Sequence, residues 1–364
     1  MTDPEQDRPK PPRALAYAWP LLLVALAHVS VTGSGLRTFL LPAVIFVALP
    51  ILEALIGSRP DGAAPDELRQ RARGKAFTWI LRLTSVLVFL ELLAILARVE
   101  STPRPALEWF GLTLSTGSML GAVGITMAHE LGHRRRRLDR WLAEGLLHAS
   151  WYPHFHVEHN QGHHVHVATP KDPASARPGE SLYAFLVRVM VGSVRSAFEI
   201  GGRREVRAGR SPFGPRNPLV RMALVQLAAA GAVAVAFGVH ALLFWIAAGF
   251  VGALHLEIVD YIEHYGLQRR LLPSGEYEPV APRHSWNSDH LVGRLFLFEL
   301  PRHSDHHAQA ARPYQALRSL EGAPQMPAGY PAMMLLSLVP PLWSRVMDPR
   351  VEAWHSEQPP LPVA

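Results

Sequence analysis

Five of the histidines between His129 and His164 fall at spacings that suit metal ligation. His129 and His133 stand four apart in His-Glu-Leu-Gly-His, so on a helix they share one face about one turn apart. His159 and His163 repeat that spacing with His164 beside them, and a third cluster follows at His303, His306 and His307. A zinc site takes about four ligands in total, so eight imidazoles are more than one ion needs. The pattern points to two metals in one site, built from clusters remote in sequence. Imidazole suits zinc, copper, iron and nickel, and spacing alone does not choose among them. Zinc has no redox chemistry, whereas a pair of irons can activate oxygen.

Taken alone, His129-Glu130-x-x-His133 also matches the zinc-protease pattern of two ligands and a glutamate base, in the form seen in intramembrane zinc proteases. That reading leaves His-x-x-x-His-His and His-x-x-His-His unexplained. A purely structural role does not account for eight imidazoles at three helix-compatible spacings.

The elements that must position these residues are membrane spans. Apolar residues make up 49% of the chain and charged residues only 18%, below the usual quarter. Six segments reach the ~20 apolar residues that a bilayer crossing needs; they lie at roughly 14–32, 37–57, 77–97, 107–128, 218–238 and 240–259. Pro20 and Pro42 sit near span ends or at tolerated kinks. In the third span Arg82 is expected to snorkel to the interface, and Glu91 to face the bundle interior. Connection 58–76 carries Arg59, Arg69, Arg71, Arg73 and Lys75, and Arg134 to Arg137 follow the fourth span. The turns at 33–36 and 238–240 carry no Lys or Arg. The positive-inside rule then puts both termini and both large polar regions, 129–217 and 260–364, in the cytosol. All three histidine clusters fall on that side, which makes a cytosolic histidine-rich cap. The surplus charge of +6 is spread through short loops without an aromatic-interleaved stripe, so nucleic acid is set aside. The chain has no cysteine, which excludes disulfides, thiolate sites and a fused iron–sulfur or rubredoxin-type module. Any electrons must come from a separate protein.

If the sixth span continues as a helix past the membrane, Glu257, Tyr261 and His264 share one face, and His264 becomes a ninth ligand at the depth of the others. Residues 1–13 read as a disordered cytosolic tail, 14–350 as one transmembrane domain, 181–200 as an amphipathic helix, 265–302 as an irregular cap, and the chain after Asp348 as loosely ordered, with a tail at 351–364. The apolar block 333–347, interrupted by Pro340 and Pro341, reads as interfacial or packed and not as a seventh span.

The sequence resembles the membrane-bound alkane hydroxylases, integral-membrane di-iron alkane 1-monooxygenases related to membrane fatty-acid desaturases. The resemblance rests on His129-Glu-Leu-Gly-His133, Glu158-His-Asn-Gln-Gly-His-His164, the stretch from Val165 to Arg177, Tyr261-Ile-Glu-His-Tyr-Gly-Leu267 and Arg302-His-Ser-Asp-His-His-Ala308, and covers roughly residues 15–350. Desaturases lack the Tyr-x-Glu-His-Tyr-Gly segment. The resemblance implies an all-α, six-span protein with two iron ions held by His129, His133, His159, His163, His164, His264, His303, His306 and His307. It further implies O2, two electrons from a rubredoxin-type donor with its reductase, and terminal hydroxylation of an alkyl chain. Two departures stand out: Asp260 where the family usually has Asn, and the four arginines after His133.

Glu130, Glu158, Glu257, Asp260, Glu263 and Asp305 are candidates to orient ligand imidazoles, as metal-bound histidines commonly require. His154, His156 and His166 flank the second cluster at less regular spacings, and the remaining seven histidines read as structural or exposed. Trp19, Phe39, Phe46 and Phe110 are candidate liners of a channel for the apolar substrate. Competing functions are a desaturase, a hydroxylase of another apolar molecule, an intramembrane zinc protease and a metal transporter. The last predicts polar residues through the spans, and these are scarce. The expected location is the inner membrane.

Overall fold

The structure, a computed structural model, describes residues 13–60, 63–99 and 103–357. The tail expected at 1–13 lies outside these apart from Arg13. Among the described residues the chain is helical, with isolated β-bridges only. The helices that bear on the site are, in order, α1 (Ala14–Thr32), α2 (Gly35–Ile56), α3 (Lys75–Val99) and α4 (Ala106–Gly132). Next come α5 (Arg137–Ala149), α6 (residues 155–166), α7 (Leu182–Arg207) and α8 (Pro218–His264). The chain closes with α9 (His303–Ala308), α10 (Tyr330–Ser337) and α11 (Pro340–Ser356). Five of these, α1 to α4 and α8, are long and apolar enough to cross a membrane, and the chain is a membrane protein.

At 47 residues α8 would be ~70 Å long if straight, over twice the thickness of a hydrocarbon core. It is not straight. Gly238 sits at φ 85°, ψ 166°, outside helical space and accessible to glycine because it lacks a Cβ. Gln226, before the break, accepts a hydrogen bond from His148 Nδ1 at 2.8 Å, and Trp245, after it, donates to the carbonyl of Ala149 at 2.6 Å. A continuous helix would hold those two residues ~28 Å apart, so the arms fold back on each other at Gly238.

The two long helices that carry histidines into the site, α4 and α8, cross through small residues. A Cβ on Gly117 would lie 2.4 Å from Val251 Cβ, one on Gly121 2.8 Å from the carbonyl of Gly252, and one on Gly252 3.2 Å from the Gly121 nitrogen. This close approach lets α4 and α8 run side by side toward the same end of the bundle. A π-helical stretch, Met119–Ile125, interrupts α4 one turn before His129 and resets the direction in which that histidine points.

Arg82 reaches the edge of an open polar pocket, where its Nε donates to Asp139 of α5 at 2.7 Å, because α5 packs over that face of α3 and supplies the counter-charge. Glu91 finds its partner in His28 of α1, at 3.0 Å. The chain after Asp348 is not loose: α11 runs to Ser356, with Trp343, Met347 and Val351 buried, and Tyr265 donates to Asp348 Oδ1 at 2.6 Å. The tail expected at 351–364 therefore begins no earlier than Glu357, and residues 358–364 lie outside those described.

Candidate metal centre

The nine histidines named from the sequence converge on one region, in two groups. His129, His133, His159, His164 and His306 form one, and His163, His264, His303 and His307 the other; within each group the ligand-type nitrogens lie within 4.8 Å of one another. Four elements deliver them: the end of α4, the stretch of α6 from the π-helical turn His159–His163 to His164, the last residue of α8, and the short helix α9. In α6 the wide π turn lets His159 and His164 face the first group while His163 faces the second. Arg302 fixes the start of α9: fully buried, it pairs with Glu299 and Asp289 and donates to the carbonyl of Leu317 at 2.7 Å.

The ring nitrogens face one another at distances too short for rings that ignore each other. His159 Nε2 lies 3.2 Å from His133 Nε2 and 3.0 Å from His164 Nε2, and His164 Nε2 lies 3.1 Å from that of His306. In the second group His303 Nε2 lies 2.9 Å from His307 Nε2 and 3.2 Å from His264 Nε2, and His163 Nε2 lies 3.2 Å from His307 Nε2. A neutral imidazole carries one N–H, so such a ring of nitrogens cannot satisfy itself by hydrogen bonds. His129 Nε2 is buried without any partner. Burial takes the His133 ring down to about 4, and it also drives His159, His164, His303, His306 and His307 well below the ordinary imidazole range. Lone pairs of neutral rings thus point at two common centres, and this donor set fits two metal ions.

The carboxylates divide. Glu263 reaches a ring of the centre: its Oε2 lies 3.2 Å from His303 Nε2, while Oε1 accepts from the Tyr330 hydroxyl at 2.7 Å. Asp260 opens on the adjoining cavity. Glu257 is turned to Tyr152, whose hydroxyl donates to it at 2.5 Å. Glu158 lies near Ser196 Oγ at 3.3 Å. Glu130 instead accepts from Arg134 at 2.9 Å, four residues on along the chain. Asp305 takes Arg312 at 2.6 Å and the backbone N–H of Arg318 at 3.0 Å, tying α9 to the following loop. The geometry thus gives Glu130 and Asp305 arginine partners, not imidazoles. Of the flanking histidines, His154 lies against Ser193, and none of His154, His156 and His166 enters either group.

Asp172 was missed by sequence reasoning. It accepts from His163 Nδ1 at 2.9 Å. Burial works to raise its carboxyl, but the His163 ring and the Ser175 hydroxyl hold it below its ordinary value. The signal was present, since Asp172 lies in the Val165-to-Arg177 stretch that carries the family resemblance.

A narrow apolar cavity leads from the bundle to both groups. Its lining includes Leu23, Ile45, Leu49, Gly121 and Ala122 at the membrane side, and His129, His159 and His303 at the other. Trp19, Phe39, Phe46 and Phe110 are not in it. They pack on other rings: Phe39 on Phe110, Phe46 on His255, and Trp19 on Phe296.

Residues 103–337 match the family model described as fatty acid desaturase, so the histidine-capped helical bundle is of the desaturase class. Within that class the similarity is more specific. Alkane 1-monooxygenase 1 of Pseudomonas aeruginosa is 42% identical over 325 residues, 87% of this chain and 84% of the relative. Alkane 1-monooxygenase 2 of the same organism is 40% identical over 324 residues, 87% and 85% of the two chains, and the alkane 1-monooxygenase of Ectopseudomonas oleovorans 36% over 341 residues, 93% and 85%. The chain belongs to the alkane 1-monooxygenase family and is an enzyme.

Proposed function

We propose that this enzyme is a di-iron monooxygenase that hydroxylates the terminal carbon of alkanes or similar apolar chains: RH + O2 + 2e⁻ + 2H⁺ → ROH + H2O. The observation that carries the reading is the apolar cavity ending on His129, His159 and His303, where both histidine groups meet it. The nine histidines would hold the two irons, which when bound supply oxygen activation and electron storage. Asp172 orients the His163 ring from its Nδ1, Glu263 stands beside the ligand-side nitrogen of His303, and Asp260 provides a polar edge at the cavity mouth. Leu23, Ile45 and Leu49 keep the chain end dry and aligned.

Electrons enter from a rubredoxin-type donor supplied by its reductase. An open polar pocket reaches His133, a ring of the first group, and Arg73, Lys75, Arg134, Arg135, Arg136 and Arg312 surround it. Those charges suit an acidic partner and speed its encounter. On this reading the enzyme crosses the cytoplasmic membrane six times, the fold-back at Gly238 supplying the turn between the fifth and sixth crossings, with both termini and the histidine cap in the cytosol. One transmembrane domain spans 14–350.

Expression with a rubredoxin and its reductase, followed by product chromatography and metal analysis, tests the proposal. A primary alcohol from a medium-chain alkane, with about two irons per chain, is expected. An alkene would assign the site to desaturation, and a single zinc to proteolysis.

A further inference from the structure

The proposed hydroxylation breaks a C–H and an O–O bond, forms a C–O bond, and releases the second oxygen as water. That water takes up two protons per turnover, and the electron donor supplies none of them. The protons must reach a centre whose second histidine group is entirely buried.

One line of side chains leads there. His154 borders an open, largely apolar groove of about 850 Å3 between α7 and the first arm of α8, with the exposed ion pair Arg195–Glu199 at its polar rim. His154 Nε2 lies 3.1 Å from Ser193 Oγ, Ser193 Oγ lies 3.2 Å from the Tyr152 hydroxyl, and that hydroxyl lies 2.5 Å from Glu257 Oε1. Direction follows from donor counting. The Tyr152 proton is committed to the Glu257 carboxylate oxygen. The Tyr152 oxygen therefore accepts from Ser193, and the Ser193 oxygen accepts from His154. Every donor points the same way, from groove to Glu257. The other Glu257 oxygen, Oε2, is buried without a partner. Asp260 lies three residues further along the same helix, hence on the same face, and opens on the cavity that ends at His129, His159 and His303. The ordinary need to satisfy buried polar groups accounts for the Tyr152 hydroxyl. It does not account for an orphaned carboxylate oxygen at the inner end of the line.

We propose that His154, Ser193, Tyr152 and Glu257 form a proton relay from the groove to Asp260 and the oxygen-reducing centre. These four are positioning residues, acting through Asp260, and the inference rests on the monooxygenase reading above. As far as Glu257 each transfer moves one proton along an existing hydrogen bond. His154 gives up its Nε2 proton as its Nδ1 takes one from the groove, the step from Glu257 to Asp260 runs between neighbours on one helix face, and the relay is reset when His154 returns to its Nε2–H tautomer.

The test uses the full-length enzyme in membranes with saturating reduced donor and a medium-chain alkane. Tyr152→Phe and Glu257→Gln are expected to lower turnover ~10-fold or more and to raise the solvent deuterium isotope effect, at unchanged iron content. His154→Ala is expected to lose turnover and regain part of it with added imidazole, which the open groove admits, with iron measured in the same samples. Independently of activity, the infrared band of the Glu257 side chain, assigned by its loss in Glu257→Gln, shifts in Tyr152→Phe in metal-loaded and metal-free protein alike. If Glu257→Gln loses its iron, Tyr152→Phe and His154→Ala decide, since both lie outside the histidine groups. Tyr152→Phe at the wild-type rate with an unchanged isotope effect overturns the relay, as does a His154→Ala variant whose lost activity imidazole never restores. A wild-type enzyme that makes no alcohol sinks the monooxygenase reading. One that does, matched by its variants, sinks the relay alone.

Discussion

His163 Nδ1 donates to Asp172 Oδ2 at 2.9 Å, and both side chains are sealed from solvent. Asp172 is itself held by the Ser175 hydroxyl at 2.6 Å and the Ala174 backbone N–H at 3.0 Å. The bond fixes the tautomer of the ring, so that the lone pair on Nε2 faces His307 and the second group. Replacing Asp172 by Asn should lower metal affinity ~10–100-fold, with loss from that group first. Iron retained after dialysis against a graded chelator measures this, and retention equal to wild type would remove Asp172 from the account.

The same neutral rings make the metal-free protein acid-sensitive. His133 is held at about 4 against an ordinary 6.5, and five further histidines are displaced the same way. Between those values the unfolded chain binds protons that the folded one refuses, so stability rises with pH and falls as pH drops through 6.5 toward 4. Every tenfold loss of proton affinity on folding corresponds to ~1.4 kcal/mol per ring. The melting temperature of metal-free protein in detergent should therefore fall by several degrees between neutral and mildly acid buffer. A flat profile would contradict the burial described.

Arg135 and Arg136 are exposed at the rim of the pocket that reaches His133. Reversing both to Glu should raise the KM for the reduced donor ~10-fold at low salt and abolish most of the salt dependence of turnover, with little change in iron content. Donor titrations at two ionic strengths decide it; identical KM values would move the docking face elsewhere.

Ile45 stands in the wall of the apolar cavity, with Leu23, at its membrane side. Enlarging it, as Ile45→Trp, should shorten the longest chain accepted and shift the product profile to shorter alcohols. Chromatography of products from a mixture of linear alkanes reads the change directly, and an unaltered profile would show that the chain does not pass Ile45.

Histidine spacing and span hydropathy were legible because both are local. A four-residue interval fixes a helix face without knowledge of the neighbour, and the length of the apolar stretch places a turn at 238–240, where the break at Gly238 falls. Pairings across the fold were not. Asp139 as the partner of Arg82, His28 as that of Glu91, and Tyr152 as that of Glu257 join residues 57, 63 and 105 positions apart. No periodicity encodes such contacts. The carboxylates show the same limit, since Asp305 lies among three ligand-type histidines and still turns to Arg312 and Arg318. For Glu130 a warning was available, because Arg134 stands one helical turn away. The ordered C-terminal helix escaped notice because Pro340 and Pro341 read as breakers, though they open α11, and its buried anchors Trp343, Met347 and Val351 are thinly spread.

The histidine groups are unequal in shelter: His133 and His164 leave an edge of the first toward water, whereas all four members of the second are enclosed. A small chelator must strip such a centre in a fixed order. Half-emptied enzyme is then a single species, its remaining ion locked away at His163, His264, His303 and His307, and its spectrum should be that of one well-defined site instead of a blend.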